Sequence, residues 1–288
     1  MRWQWTRRSR SLESNNLRAK ACLEKLIDWF RSKDGAAIAY SGGTDSTVVA
    51  AAAFASLKEK ALAITVKSDF IPDDEIEAAR AAAKKIGIRH IIHEVRLPRK
   101  IMMNPRERCY LCKLLIMGEV KRIAKEWGHY CIADGTNLDD LKSDRPGRRA
   151  LEEQGIRSPL IDVGVDKAAI KGIAKLLGFD PKAPNSCLAT RFTHGARITK
   201  LELRKVHLAE RAIRERGFDC VRVRNFGELA KIEVERDRIQ EFVNMEGLDG
   251  LLSKLHDLGF HRVALDLEGY RPSSTDGNGK PTIVQKRE

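Results

Sequence analysis

The stretch SGGTDST (Ser41–Thr47) joins two apolar segments of different kinds. Residues 36–40, AAIAY, have the length and composition of a buried strand, and the Ala/Val-rich residues 48–55 are typical of a buried helix. Two adjacent glycines predict a tight backbone turn between these elements. A strand, a glycine turn and a helix in this order predict a cradle for a phosphate group.

The start of a helix attracts anions, because its first backbone N–H groups have no partner within the helix and the helix dipole is positive there. Gly42 and Gly43 would let a ligand approach the backbone closely. Asp45 is a candidate to bind Mg²⁺ or to interact with the N–H groups at the start of the helix. The alternative is an ordinary turn between a strand and a helix, with serine caps. We expect ATP to bind this loop through Ser41, Gly42, Gly43, Asp45 and Ser46.

The loop lacks the lysine of the common ATPase motif GxxxxGK[ST], which reaches the β and γ phosphates of the nucleotide. A loop that holds pyrophosphate without this lysine suits attack at the α phosphate. Pyrophosphate then leaves and an acyl adenylate forms. The sequence therefore favours chemistry that releases AMP and pyrophosphate.

The composition is that of a globular protein with a basic surface. The 288 residues include 53 Lys and Arg against 40 Asp and Glu, a formal net charge of +13 that favours anionic partners such as nucleotides. A solvated basic surface with no RNA partner explains the charge equally well. Six cysteines, two of them in a CxxC pattern, indicate a reducing compartment rather than a disulfide framework. We find no signal peptide and no apolar run of about 18 residues, and we expect a cytoplasmic protein with no membrane partner.

Strand and helix patterns alternate along the first part of the chain. This repetition predicts an α/β fold with a parallel, Rossmann-like sheet in a domain that spans residues 17–185. Two prolines within residues 181–184 predict a linker or a sharp change of direction. The pattern beyond them predicts a smaller α+β domain over residues 186–270. We expect the two ends, residues 1–16 and 271–288, to be disordered.

Polar residues follow two of the predicted strands. Ser68 and Asp69 come after the predicted strand 61–66, and the segment DGTN (134–137) comes after the predicted strand 130–133. Ligands of parallel sheets bind at the carboxyl ends of the strands. We therefore expect Ser68, Asp134 and Gly135 to contact the nucleotide, although Asp134 taken alone is an ordinary turn residue.

Three cysteines form a candidate metal-binding set. Cys109 and Cys112 lie three residues apart in a predicted helix and so share one of its faces. A structural zinc site needs further ligands at recognisable spacing, and no second CxxC or HxxxH pattern occurs. Cys187 lies outside any predicted element, and three thiolates can hold a [4Fe-4S] cluster that keeps one iron open for a ligand such as sulfide. A thiol pair or a zinc site is the alternative; we interpret the remaining cysteines as core residues, namely Cys22, Cys131 and Cys220.

Two further segments are candidates for ligand binding. Residues 139–149 form a long charged loop after a predicted strand end. Arg222 and Arg224 alternate in VRVR, which puts both on one face of a strand, as a phosphate clamp requires. Glu233 could lie beside them. For each segment, an exposed face with salt bridges is the alternative.

Several motifs together resemble one family. SGGTDST is similar to the loop of the PP-loop ATP pyrophosphatases. Four further segments in combination resemble those of the LarE family. They are RCYLCK (108–113), ADGTNLDDL (133–141), DRPGRRALEEQGIRSPL (144–160) and NSCLATRF (185–192). This resemblance implies an ATP-dependent sulfur transferase in the assembly of the nickel-pincer nucleotide of lactate racemase. Its substrate would be pyridinium-3,5-biscarboxylic acid mononucleotide, whose carboxylates are adenylated and converted to thiocarboxylates.

The resemblance also implies a source of sulfur. Cys187 matches the sulfur-bearing cysteine, which some members sacrifice and leave as dehydroalanine. Other members hold a [4Fe-4S] cluster through three cysteines and transfer a sulfide instead. Cys109 and Cys112 make this sequence resemble the cluster type, with sulfide or another sulfur donor as a partner.

The same resemblance implies the residues that hold the substrate and the state of assembly. Arg222 and Arg224 match ligands of the substrate phosphate, and Glu210 and Glu233 match acidic residues near them. The implied cofactors are ATP, Mg²⁺ and the [4Fe-4S] cluster. The implied assembly is a homo-oligomer, a hexamer.

Two other functions compete with this hypothesis. A tRNA thiolase uses the same loop with a three-cysteine cluster and suits a basic chain, but we recognise no RNA-binding module and expect no RNA partner. A redox-sensing or nucleotide-binding regulator would need no turnover. Such a sensor would release no pyrophosphate from ATP in the presence of any carboxylate substrate.

Overall fold

The α-helices and strands alternate along the chain in the computed structural model, which describes residues 3–142, 146–182 and 186–270. The helices are α1 (Trp3–Arg31), α2 (Thr44–Leu57), α3 (Asp73–Ile86), α4 (Arg99–Met102), α5 (Arg108–Glu126), α6 (Pro146–Gln154), α7 (Pro159–Asp162), α8 (Lys167–Leu176), α9 (Lys200–Arg214), α10 (Ile239–Val243) and α11 (Leu248–Asp257). The strands are β1 (Ala36–Ala39), β2 (Ala61–Lys67), β3 (Arg89–Glu94), β4 (Cys131–Ala133), β5 (Arg222–Phe226), β6 (Leu229–Glu233) and β7 (Arg262–Leu265).

The described residues fall into two compact units. The first contains residues up to 68 together with 73–96 and 107–182, and the second contains residues 69–72, 97–106 and 186–270. The sequence predicts a division at residue 185, and that boundary stays a prediction. Residues 183 and 184 of the predicted linker, and the predicted disordered end, residues 271–288, lie outside the described residues.

A parallel sheet of four strands, in the order β3-β2-β1-β4, forms the centre of the first unit. Ala36 at the start of β1 pairs with Ala61 of β2 on one side and with Cys131 of β4 on the other. Parallel neighbours need crossover connections, and helices supply them here. The predicted α/β fold with a parallel sheet is confirmed.

Helix α2 lies in the core of the first unit. Its residues from Ser46 to Ala53 are all buried, which explains why the sequence there is apolar without a polar stripe. Buried side chains of α1 and α8, among them Leu26 and Ile170, belong to the same core cluster. The segment Ser41–Thr47, which we call the phosphate loop after its predicted ligand, is therefore held in position by a helix that is enclosed on its sides.

Two elements differ from the sequence-based expectation. Helix α1 begins at Trp3, although residues 1–16 were expected to be disordered. No proline or glycine occurs between Trp3 and Arg31, so nothing in the chain stops the helix. The segment 139–149 is not one long loop, because α6 begins at Pro146; proline is favoured in the first turn of a helix.

The second unit contains a three-stranded sheet in the order β5-β6-β7. Strands β5 and β6 are antiparallel, and β6 and β7 are parallel. Helix α9 begins with a capping box, in which the Thr199 side chain accepts from the Glu202 N–H and the Glu202 carboxylate accepts from the Thr199 N–H. This mixture of elements agrees with the predicted α+β class.

Among the described residues, no helix combines the length and the apolar character that a membrane crossing requires.

We expect Leu26→Ala to destabilise the first unit, because Leu26 of α1 is fully buried in the core. Removing a buried leucine side chain costs about 2–5 kcal/mol of the free energy of unfolding. Urea unfolding measures this loss. Leu17→Ala is the matched control, since Leu17 lies on the same helix and is 70% exposed; its cost should stay within about 0.5 kcal/mol. An equal loss in the free energy of unfolding of the two variants would contradict the packing of α1.

Candidate functional site

The turn between β1 and α2 requires a glycine at position 42. Gly42 has a φ angle of 72°, in the left-handed region that disfavours any side chain. A Cβ atom there would also lie 2.5 Å from the Cβ atom of Ala79 in α3. Gly43 has a φ angle of −73° and no such constraint. The turn itself does not need the second glycine, which agrees with a requirement for close approach by a ligand.

Two serines hold the loop in shape. The Ser46 hydroxyl donates to the Gly43 carbonyl at 3.1 Å, and the Ser41 N–H donates to the Ser46 hydroxyl at 3.3 Å. The Gly43 N–H in turn donates to the Ser41 hydroxyl. Helix α2 has Gly43 at its N-cap, and no side chain caps it. The start of the helix is thus shaped without a capping side chain, as an anion site requires.

The end of β4 packs against the start of α2. A Cβ atom at Gly135 would lie 2.8 Å from the backbone nitrogen of Ser46, so only glycine fits there. Asn137 is fully buried and donates from its side-chain amide to a carboxylate oxygen of Asp45 at 3.0 Å. Asn137 was not among the individual residues predicted to contact ATP, although it lies in the DGTN segment. It orients the residue that we expect to bind Mg²⁺.

Asp134 organises the turn that follows β4. Its carboxylate accepts hydrogen bonds from the backbone N–H and the hydroxyl of Thr136 and from the hydroxyl of Ser158, the last at 2.8 Å. These bonds account for much of its hydrogen-bonding capacity. Asp134 therefore has a structural role, and its contact with ATP stays a prediction.

Ser68 and Asp69, which follow β2, have different environments. Ser68 is 3% exposed, and its buried hydroxyl has no hydrogen-bond partner among the described residues. A buried hydroxyl without a partner costs free energy, so it is a candidate for a bond to a ligand. Asp69 belongs to the second unit, where it accepts from the Leu97 N–H and forms an ion pair with Lys200.

A buried polar chain supports the residue before the loop. The Thr65 hydroxyl donates to the Tyr40 carbonyl at 2.7 Å and so accepts from Nε2 of His90, also at 2.7 Å. Burial lowers the pKa of His90 to about 4, and the charge of Arg80 acts in the same direction. The imidazole is therefore neutral at neutral pH, and these hydrogen bonds require its proton to be on Nε2.

The two paired cysteines lie where the sequence predicts them, at the start of α5. Cys109 and Cys112 are half-buried thiols, and Cys109 accepts a hydrogen bond from the buried guanidinium of Arg108. Cys187 belongs to the second unit and is exposed. Over the described ranges, no group of three or more His, Cys, Asp or Glu side chains could hold a metal ion. The three-cysteine set spans the two units and stays a prediction.

Arg191 forms hydrogen bonds within the turn that carries Cys187. Its side chain is fully buried and donates to the backbone carbonyls of Ser186 and Cys187 and to the Thr190 hydroxyl. The Thr190 hydroxyl donates to the Cys187 carbonyl at 2.9 Å. Sequence reasoning missed Arg191 because an arginine beside a candidate cysteine is ordinary in a basic chain. Its burial is visible only in the structure.

The charge of Arg191 is neutralised by Glu210 of α9. Nε of Arg191 donates to a Glu210 carboxylate oxygen at 2.7 Å, and Arg214 and the Val223 N–H donate to the same carboxylate. Burial raises the pKa of Glu210, but the charges and hydrogen bonds of Arg191, followed by the charges of Arg214 and Arg222, hold that pKa below its usual range. The ion pair is fully buried, so its partners depend on each other.

Arg222 and Arg224 are buried on β5 rather than presented on an open face. Arg224 donates to both carboxylate oxygens of Glu233 on the neighbouring strand, at 2.9 to 3.1 Å, and to the Thr190 carbonyl. Arg222 donates to the Val221 carbonyl. Their predicted role as substrate-phosphate ligands therefore stays a prediction, and binding would compete with these contacts.

Comparison with known proteins agrees with the geometry of the loop. Residues 31–112, which contain β1, the loop and α2, match the asparagine synthase family. The parallel sheet, the uncapped glycine loop and this match define the class of the protein: it has a PP-loop ATP pyrophosphatase domain and is an ATP-dependent enzyme.

Two relatives match nearly the whole length of the chain. An uncharacterized protein of Synechocystis is 40% identical over 254 residues, which cover 86% of this chain and 94% of the relative. The pyridinium-3,5-bisthiocarboxylic acid mononucleotide synthase of Lactiplantibacillus plantarum is 30% identical over 239 residues, 81% of this chain and 86% of the relative. The chain belongs to the family of that synthase, the LarE family. Among solved structures, NMN synthetase from Francisella tularensis is similar with a TM-score of 0.48 and 18% identity, over 58% of this chain and 75% of the other.

We expect Glu210→Gln to destabilise the second unit by about 3–5 kcal/mol, because it leaves Arg191 buried without a counter-charge. The pKa of Glu210 is lower in the folded than in the unfolded state. Its contribution to stability is therefore present above the unfolded value of about 4.3 and is lost as the pH falls through the folded pKa. Chemical unfolding between pH 7 and acid pH measures both effects.

Glu215→Gln is the matched control for this prediction. Glu215 lies at the end of the same helix and forms an exposed pair with Arg211. Its loss should change stability by about 0.5 kcal/mol or less. If Glu210→Gln were as stable as this control, the ion pair of Arg191 and Glu210 would not stabilise the turn that carries Cys187.

Proposed function

We propose that this protein is a sulfur transferase that adenylates a carboxylate of pyridinium-3,5-biscarboxylic acid mononucleotide and converts it to a thiocarboxylate. The observation that carries the proposal is the uncapped start of α2 behind a glycine turn, in a chain of the LarE family. The name of the relative from L. plantarum supports the substrate.

The residues of the loop suit the adenylation step. Backbone N–H groups at the start of α2 and the helix dipole stabilise the phosphates of ATP. Asp45, whose carboxylate accepts a hydrogen bond from Asn137, would bind Mg²⁺. A carboxylate oxygen of the substrate forms a bond to the α phosphorus, and the bond from that phosphorus to the bridging oxygen breaks. Pyrophosphate leaves with the electron pair of that bond, and the acyl adenylate remains.

The second step replaces AMP by sulfur. A sulfur nucleophile forms a bond to the acyl carbon, and the bond between that carbon and the AMP oxygen breaks. Cys187 is exposed on a short turn fixed by Arg191, which suits a residue that takes part in this step.

Cys109, Cys112 and Cys187 are the residues that would hold a [4Fe-4S] cluster. Cys109 and Cys112 are three residues apart on one helix face, and in the described part of the chain neither they nor Cys187 form a disulfide. Three thiolates are a suitable donor set. Bound through three protein ligands, such a cluster would supply a sulfide at its open iron. We therefore infer that Cys187 keeps its own sulfur.

We expect Gly43→Ala and Asp45→Asn to abolish adenylation and to leave the fold intact. A methyl group at position 43 meets only Ser41 Oγ at 3.3 Å in the protein, but it would obstruct a ligand at the helix start. Asp45→Asn removes a charge that Mg²⁺ requires. Pyrophosphate release from ATP in the presence of Mg²⁺ and the pyridinium dicarboxylate measures the step, and circular dichroism checks the fold.

Thr136→Ser is the control for these variants, since a serine retains both a backbone N–H and a hydroxyl for Asp134. It should release pyrophosphate at about the wild-type rate. Wild-type release by Gly43→Ala and Asp45→Asn would remove the loop from the mechanism. Sulfur found in tRNA, with the pyridinium compound unchanged, would favour a tRNA thiolase instead.

We expect Cys109→Ala to lose iron, sulfide and thiolation after anaerobic reconstitution, and to keep the release of pyrophosphate. The reason is that a three-thiolate site does not survive with two ligands, whereas the phosphate loop does not use Cys109. Mass spectrometry should show that the peptide containing Cys187 keeps its sulfur after turnover of the wild type.

Cys22→Ala is the control for a general effect of cysteine loss, because Cys22 lies in α1 and packs against the core. It should retain iron and thiolation. Dehydroalanine at Cys187 in stoichiometric yield, with no dependence on iron or added sulfide, would show that the cysteine itself is the sulfur donor.

A further inference from the structure

Lys182 is attached to the phosphate loop at two points. Its Nζ donates to the Gly42 carbonyl at 2.9 Å, and its backbone N–H donates to the Thr44 hydroxyl at 3.0 Å. In the chain, Lys182 is 140 positions from Gly42 and 138 positions from Thr44. From the sequence, the segment around Lys182 was predicted only to be a linker or a sharp change of direction. The structure thus brings a cation to a loop that has none of its own.

The loop and its flanking elements contain no basic residue. No lysine or arginine occurs from Ala36 to Leu57, which includes β1, the loop and all of α2. The common ATPase motif places a lysine at this position to bind the outer phosphates. Lys182 brings an ammonium group to this loop from a distant part of the chain.

The ammonium group of Lys182 is in an environment that suits an anion. The residue as a whole is exposed, but burial of the ammonium group lowers its pKa, and the charge of Glu75 only partly opposes this effect. Within the described part of the chain, Lys182 forms no ion pair. A partly desolvated cation with a neutral carbonyl as its side-chain acceptor gains more from a phosphate oxygen than an exposed lysine would.

We propose that Lys182 binds the β or γ phosphate of ATP, with Nζ moving from the Gly42 carbonyl to a phosphate oxygen. This inference rests on the proposed adenylation at the same loop. When the bond between the α phosphorus and the bridging oxygen breaks, negative charge develops on the departing pyrophosphate. The ammonium group stabilises that charge, as a preorganised cation does in a transition state.

Binding of ATP and of AMP separates this role from a structural one. Calorimetry without the carboxylate substrate should show that Lys182→Gln weakens the binding of ATP by roughly ten- to a hundredfold, because a charged hydrogen bond is lost. The affinity for AMP should not change, since AMP lacks the outer phosphates. Lys182→Arg should recover a large part of the affinity for ATP. Glutamine can still donate to the Gly42 carbonyl, so the loop keeps its support.

Lys171→Gln is the matched control, because Lys171 is exposed on α8 and its loss changes the net charge equally. It should bind ATP like the wild type. Equal ATP affinity in Lys182→Gln and the wild type would overturn the inference, and so would parallel losses of ATP and AMP binding. Wild-type thiolation with unchanged ATP affinity in Lys182→Gln would leave the proposed function intact. Selective loss of ATP affinity without any thiolation by the wild type would instead reject the proposed substrate alone.

Discussion

The phosphate loop depends on the absence of a side chain at Gly42. The left-handed turn there allows α3 to approach so closely that a Cβ atom would overlap Ala79. Gly135 makes a second close approach, to the backbone of Ser46. The start of α2 is therefore fixed by neighbouring backbone and by the two loop serines. Because no side chain caps it, the site is shaped by the protein and left available for a ligand.

The fold of the first unit was largely predictable, because its signals are local. A buried strand, two glycines and an Ala/Val-rich helix follow one another within about twenty residues, and the repeated alternation of strand and helix indicates a parallel sheet. The extension of α1 to Trp3 and the start of α6 at Pro146 were not predicted. In both segments the composition is polar, so the hydrophobic period gives little information about helix ends.

The supporting residues of the site could not be predicted, for a physical reason. Asn137 acts through a contact with Asp45, 92 positions away in the chain, and Lys182 reaches Gly42 over 140 positions. Such contacts leave no pattern in a single sequence, because only the fold brings the two residues together. The sequence predicted a strand that contains Arg222 and Arg224, and both residues lie in β5. Glu233 lies beside Arg224, as the sequence suggested, and its carboxylate accepts hydrogen bonds from that guanidinium.

A buried ion pair supports the turn of Cys187. Glu210 neutralises Arg191, and Arg191 in turn binds the carbonyls of Ser186 and Cys187. A buried ion pair contributes less to stability than a well-packed apolar core would, but it fixes the directions of several hydrogen bonds at once.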